Sequence, residues 1–253
     1  MRFIATADTD VGIIKETNQD SVLIKHAVCD LGEILLAVVC DGMGGLERGE
    51  LASATVVREF SKWFDEVLPG ELEQVNMQVI GGKWSHLLKD LNAKIGEFGE
   101  QHHVSLGTTF TGVLFVGNEY VVAHVGDSRL YHIKDTVKQL TTDQTFVARE
   151  VRLGNMTEEQ AKVDKRRNML LQCVGASNYV EPEVFWGRTE PGAYMLCSDG
   201  FRHEISNAEI YEALNPLRLL NKDVMHNNCR YLIEQVKYRR EKDNISVLLI
   251  KVD

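Results

Sequence analysis

Basic charge, proline and paired cysteines are all in short supply in this 253-residue chain, and each shortage excludes a class of protein. With 28 Lys and Arg against 37 Asp and Glu, the net charge is −9, which argues against a nucleic-acid binder and its basic footprint. The same acidity fits a carboxylate-rich metal site and an ordinary acidic surface equally well. Cys29, Cys40, Cys173, Cys197 and Cys229 are odd in number and widely spaced, with no CxxC pair and no Cys/His zinc spacing. That argues against a disulfide framework and against a zinc site. Cys40 and Cys197 sit inside apolar runs, where a free cysteine behaves as a small buried hydrophobe, and a reducing cytoplasm is the expected setting. The stretch Met1-Arg2-Phe3-Ile4-Ala5 has no apolar signal segment. No run approaches the roughly 18 apolar residues of a membrane span, so no membrane partner is expected. Neither a Cys-x5-Arg phosphate cradle nor a Walker loop occurs. Only four prolines are present, and there is no repeat, low-complexity stretch or linker, so residues 1–253 are expected to form one domain.

What is present suits a sizeable core: 44% of residues are hydrophobic. Apolar runs of strand length lie at 2–7, 34–40, 108–116, 119–125, 193–198 and 245–252, rich in Val, Ile, Phe and Tyr and bounded by Gly, Asp or Asn. Residues 47–68 set Val56, Val57, Phe60, Trp63, Phe64 and Val67 on one helical stripe that stops at Pro69-Gly70. Residues 83–99 do the same with Trp84, Leu87, Leu88, Leu91, Ile95 and Phe98, and 222–238 with Cys229, Leu232, Ile233 and Val236. Thr157 with Gln160 and Ser206 with Glu209 are capping-box patterns that start further helices. Strands and helices do not alternate one to one, which disfavours a doubly wound parallel sheet. The order predicts an α+β fold: a four-layer α/β/β/α sandwich, two antiparallel sheets flanked by helix pairs.

Carboxylates recur where these strands end. Ile34 to Cys40 runs straight into Asp41-Gly42, Tyr194 to Ser198 into Asp199-Gly200, and Val121 to Val125 into Gly126-Asp127. Asp243 opens the last strand, and Asp20 precedes Ser21-Val22-Leu23-Ile24. Any single Asp-Gly reads equally as a type I′ hairpin turn. Five carboxylates on rigid strand ends would repel one another unless a cation neutralised them, and such hard oxygen donors suit Mg²⁺, Mn²⁺ or Ca²⁺.

Several ordered blocks carry a resemblance. Thr9-Asp10-Val11-Gly12, Lys15 and Asn18-Gln19-Asp20-Ser21 come first, then Asp41-Gly42-Met43-Gly44-Gly45 with Gly49-Glu50 and Ala52-Ser53. Gly107-Thr108-Thr109, Val125-Gly126-Asp127-Ser128-Arg129-Leu130-Tyr131 and Leu140-Thr141-Thr142-Asp143 follow. Arg166-Arg167-Asn168, Val174-Gly175, Cys197-Ser198-Asp199-Gly200 and Asp243-Asn244-Ile245-Ser246 complete the set. From near residue 5 to the end, the chain resembles the bacterial type 2C (PPM) metal-dependent serine/threonine protein phosphatases.

The resemblance implies a β-sandwich with a binuclear Mn²⁺ or Mg²⁺ centre at one end. Asp41 would bridge the two ions, and Gly42 would lend its carbonyl oxygen. Asp199 and Asp243 would hold the first ion, and Asp20 would anchor waters or the second. Asp127 would join Asp199 at a third, weaker ion. Residues 144–170 would form a flap. Two such ions, about 4 Å apart, lower the pKa of a shared water and offset phosphoryl charge, so no protein nucleophile is required. The partners implied are phosphorylated proteins, with a cognate Ser/Thr kinase and its substrates, met by a monomer.

The sequence departs from that pattern in places. Lys15 stands where the family has a phosphate-gripping arginine; it supplies charge without the two-pronged fork, or is only a solvated lysine. Met43 and Leu46 replace histidines found in other members, and Gln19 replaces a frequent Glu. His124 alternates within a strand and reads as packed or hydrogen-bonded. Lys165-Arg166-Arg167 and Arg239-Arg240 read as solvated faces, the first also able to attract phosphoproteins. The competing function is a pseudophosphatase, a phosphoprotein-binding regulator with little turnover. A phosphatase acting on an anti-sigma antagonist would keep the chemistry and change the partner.

Overall fold

The computed structural model describes residues 1–43 and 48–253. Gly44 and Gly45 of the glycine-rich segment, Leu46 and the expected helix start at Glu47 lie outside the described residues. Two five-stranded antiparallel sheets carry the fold. The first pairs β1 (Phe3–Asp10), β10 (Ile245–Val252), β9 (Gly192–Cys197), β6 (Arg129–Ile133) and β7 (Val137–Gln139) in that order. The second orders β2 (Ser21–Cys29), β3 (Gly32–Cys40), β4 (Phe110–Val116), β5 (Glu119–Val125) and β8 (Glu183–Arg188).

The wholly apolar runs are the strands covered on both faces. Along β3, Leu35, Ala37 and Val39 point into a core shared by the two sheets, while Ile34, Leu36, Val38 and Cys40 face a second core under α1 (Gly49–Glu66) and α3 (Met77–His102). β10 alternates the same way: Leu248, Ile250 and Val252 face the inter-sheet core. Ile245, Val247 and Leu249 face a third core under α7 (Asn207–Leu214) and α8 (Lys222–Tyr238). Three cores between four layers give the expected α/β/β/α sandwich.

The helices follow their stripes with instructive differences. α1 buries Val56, Phe60, Trp63 and Phe64 but ends at Glu66, leaving Val67 exposed. Pro69 does not stop the chain; it sits in the first turn of the short α2 (Leu68–Glu71), where a missing N–H costs nothing. α3 is much longer than 83–99. Asn76 caps it by accepting from the Val79 N–H at 3.1 Å, and Gly81 is a contact point rather than a break, since a Cβ there would strike Val184 and Val121 of the sheet. It ends where His103 turns left-handed at φ 55°. α8 covers 222–238 as expected, and both capping boxes form, ahead of α5 (Glu158–Val163) and α7. Two further α-helices are α4 (Phe146–Arg152) and α6 (Asp199–Arg202).

β1 continues past residue 7 through two aspartates because α8 neutralises them. Arg230 lies 3.3 Å from Asp8 and 3.1 Å from Asp10, and Lys237 lies 3.0 Å from Asp10. β6, β7 and β8 form where no strand is expected, and β2 runs on beyond Ile24. These strands mix polar and apolar residues, so their period is weak.

Trp84 is fully buried and meets Phe60 edge-on at 5.2 Å and Trp63 at 5.5 Å. Trp84→Ala is expected to cost about 3–5 kcal/mol in denaturant unfolding; a loss under about 1 kcal/mol would show that α3 does not depend on this aromatic cluster.

Candidate metal centre

Strand register alone brings the predicted carboxylates to one end. In the second sheet Ser21 pairs with Cys40, so Asp20 and Asp41 are the next residues beyond the same edge, and Phe110 pairs with Val125 just before Gly126-Asp127. In the first sheet Val247 pairs with Cys197, and Arg129 pairs with Cys197 on its other side, which sets Asp199, Asp243 and Asp127 around one corner. Neither Asp41-Gly42 nor Asp199-Gly200 is a hairpin turn: Gly42 bridges to Thr108, and Asp199 opens α6.

The local backbone is fixed by close contacts. Asp41 N–H donates to Thr109 Oγ1 at 2.9 Å, and Asp41 C=O accepts from Thr109 N–H at 2.8 Å and from Thr108 Oγ1 at 2.9 Å. A Cβ on Gly42 would run into the carbonyls of Gln19 and Gly49, and one on Gly200 into that of Asn244, so only glycine fits. Asn244 accepts from Gln19 N–H at 2.9 Å and donates to the carbonyls of Val11 at 2.9 Å and Thr17 at 3.2 Å. It staples the 11–19 loop, which carries Lys15, to the start of β10.

Electrostatics describe the centre best. Burial pushes the Asp41 carboxyl well above its usual range, and Asp20, Asp199, Asp127 and Asp243 all push it further. Asp20 is raised to about 7 by burial and by Asp199 and Asp243, despite accepting from Ser246 Oγ at 2.6 Å. Its other oxygen, Oδ1, is buried with no protein partner. Such a set asks for a cation, and an oxygen donor left over beside it is where one would bind. Among the described residues no three His, Cys, Asp or Glu side chains close round one point as an ion cage. Mg²⁺-type binding uses one or two carboxylates per ion and keeps several waters. The donors fit a pair of hydrated divalent ions.

Lys15 is not a free surface lysine: its Nζ lies 3.1 Å from Asp243 Oδ1. Asp127 meets a different neighbour. Burial and Asp199 push its carboxyl up to about 7, against the opposing pull of Arg202, whose Nη2 is 3.2 Å from Asp127 Oδ2. A protein cation therefore already stands against one oxygen of Asp127.

Sequence reasoning passes over two groups next to Asp199. His203 Nε2 is 3.6 Å from Asp199 Oδ2 and Nδ1 is 3.4 Å from Glu241 Oε2. Burial opposes its charge, but Glu241 and Asp199 outweigh burial and hold its pKa above the ordinary value. Glu241 in turn accepts the N–H groups of Lys242 at 2.7 Å and Asp243 at 3.0 Å. The signal for His203 was its place four residues after Asp199, which one turn of helix brings to the same side.

The 144–170 segment holds α4 and α5 and is rooted at Gln144. Gln144 N–H donates to Gly126 C=O, and its Oε1 accepts from Gly126 N–H, both at 2.8 Å. A cleft of about 850 Å³ opens beside this root, lined by Met43, Gln144, Asn168, Leu171, Gln172 and Tyr179. His124 is packed as expected, between Thr111 Oγ1 at 2.9 Å and Thr142 C=O at 3.1 Å. Arg166 pairs with Asp164 and lies over Phe146, and Arg239 pairs with Glu209.

Comparison with known proteins agrees with this architecture. The family profile of Protein phosphatase 2C matches residues 14–229. The protein phosphatase PhpP of Streptococcus pneumoniae is 29% identical over 250 residues, covering 97% of this chain and 96% of PhpP. The S. agalactiae serine/threonine phosphatase superposes with a TM-score of 0.86 at 29% identity, covering 100% of both chains. The catalytic domain of the serine/threonine protein phosphatase PstP, solved with two manganese ions, has a TM-score of 0.80 at 29% identity and covers 99% of each chain. The class is that of metal-dependent serine/threonine protein phosphatases, hydrolases of phosphoric monoesters. The chain belongs to the protein phosphatase 2C family.

The raised Asp41 carboxyl gives a prediction for the metal-stripped protein. Its folded pKa lies above the unfolded value, so ionisation costs the folded state, and stability falls as pH rises beyond about 4. Asp41→Asn escapes that loss. Its melting temperature in EDTA is expected to exceed that of the unsubstituted chain at pH 8, with the gap closing toward pH 4. A lower melting temperature at pH 8 would make Asp41 a structural residue.

Proposed function

We propose that this chain removes phosphate from phosphoserine and phosphothreonine in proteins, opposing a Ser/Thr kinase in the cytoplasm. Two Mn²⁺ or Mg²⁺ ions would be held by Asp20, Asp41, the Gly42 carbonyl, Asp199 and Asp243. The observation that carries this reading is the Asp41 environment: burial and four neighbouring aspartates all act against its charge, in a chain of a phosphatase family. When bound, the ions supply a lowered water pKa and positive charge beside the phosphoryl oxygens.

The chain's own residues do the rest. Asp41 presents its carboxylate from the rigid end of β3, and Asp199 and Asp243 present theirs from the adjoining ends of β9 and β10. His203 and Glu241 orient that pair, as hydrogen-bonded outer groups orient ligands elsewhere. Lys15, carried on the loop stapled by Asn244, would meet the substrate phosphate as a point charge. The cleft beside Gln144 would take the peptide flanking the phosphorylated residue.

Turnover of p-nitrophenyl phosphate and of a phosphothreonine peptide by metal-stripped protein is expected to require added Mn²⁺ or Mg²⁺. Full turnover in excess EDTA would overturn the proposal. Metal-loaded protein that binds phosphopeptide without turnover would instead establish the pseudophosphatase reading, which the loss of the arginine fork at Lys15 favours.

Lys15→Ala is expected to lower kcat/KM about ten- to hundredfold, the worth of a charge-assisted hydrogen bond of roughly 1.5–3 kcal/mol. Mn²⁺ affinity should not weaken, because the substitution removes a cation from beside Asp243. Unchanged kinetics would leave phosphate to the ions alone.

A further inference from the structure

The corner around Asp127 differs in kind from the rest of the centre, because a protein cation already stands in it. Arg202 is the last residue of α6, one turn after Asp199, and its side chain is only 14% exposed. Its Nη2 donates to Asp127 Oδ2 at 3.2 Å and to the Asp127 carbonyl at 3.4 Å, and lies 3.6 Å from Asp143 Oδ2. Asp143 is itself gripped by both prongs of Arg129, at 2.8 and 2.6 Å, and Arg129 reaches on to Tyr131 Oη at 2.8 Å. Two guanidinium groups and two carboxylates therefore alternate in a chain from Asp127 to Arg129.

A guanidinium keeps its charge at any pH the fold survives, and unlike a metal ion it is covalently held in place. An ion at Asp127 would share this one carboxylate with Arg202, and the ion and the buried guanidinium, two cations held a few ångströms apart, would repel each other. We propose that Arg202 is the resident cation of the Asp127 corner, standing in place of a third metal ion. In this role it fixes Asp127 to Asp143 and so to Gln144, at the root of the 144–170 segment. Asp127 is then a positioning residue and not a metal ligand.

The proposal departs from what family resemblance implies for Asp127. It shares the site of the two-ion reading above but is tested separately, through differences between variants rather than an absolute count. Mn²⁺ bound by the metal-stripped full chain is counted by the electron paramagnetic resonance signal of free Mn²⁺ at millimolar total concentration. Asp127→Asn is expected to bind as many ions as the unsubstituted chain. Arg202→Met is expected to gain one further ion, and Asp127→Asn added to it to abolish that gain. Loss of one ion on Asp127→Asn alone overturns the proposal, and so does a folded Arg202→Met with no added ion. The Asp127→Asn comparison needs no Arg202 variant, so it decides the matter even if Arg202→Met does not fold. Failure of the unsubstituted chain to bind Mn²⁺ would sink the two-ion reading, while the gain on Arg202→Met would still report on Arg202.

Discussion

Mutual repulsion among buried carboxylates is the constraint that the rest of this structure answers. Asp20, Asp41, Asp127, Asp199 and Asp243 come from five strand ends in two sheets, and register leaves them no room to move apart. Holding like charges together costs free energy, so the scaffold beneath must be rigid. Three apolar cores, one on either side of each sheet, supply that rigidity. Glycine at 42 and 200 lets neighbouring carbonyls approach, and Asn244 ties the 11–19 loop to β10 with three hydrogen bonds.

The centre divides according to how that charge is balanced. On one flank protein cations do it: Arg202 faces Asp127 and Asp143, and Arg129 grips Asp143. These pairs are largely shielded from water, and their opposite charges offset one another. On the other flank every principal influence on Asp41 raises its pKa, and Asp20 keeps a buried oxygen without a partner. Lys15 and His203 stand at the border, against Asp243 and Asp199. In the proposed reading the second flank is the part left for divalent ions, and the first fixes the segment that borders the substrate cleft.

How much of this could be read from the sequence depends on how local the signal is. β3, β5 and β10 were legible because a strand covered on both faces is an unbroken apolar run with sharp ends, as in Ile34 to Cys40. β2 and β8 neighbour only one strand or the sheet edge and carry Lys25, His26, Glu183 and Arg188, which dilutes the pattern. α8 was legible from stripe and cap together. α3 was legible over 83–99 but not at its start, because Gly81 and Gly82 look like breakers, and only packing on Val121 and Val184 explains Gly81. The five aspartates were readable as strand-end residues and through family resemblance. Arg202 and Glu241 were not, since Arg202 meets Asp127 and Asp143, and Glu241 meets His203, only once the fold brings distant segments together; His203 left only the faint signal of its place one helical turn after Asp199.

The most direct test of the account is an anomalous difference map from crystals of the full chain grown with Mn²⁺, with data collected above the manganese absorption edge. The account predicts two strong peaks between the ends of β3, β9 and β10, in contact with Asp41, Asp199 and Asp243 and on the side of Asp20. Manganese bound only away from these side chains, or no peak at a concentration that supports turnover, would contradict it.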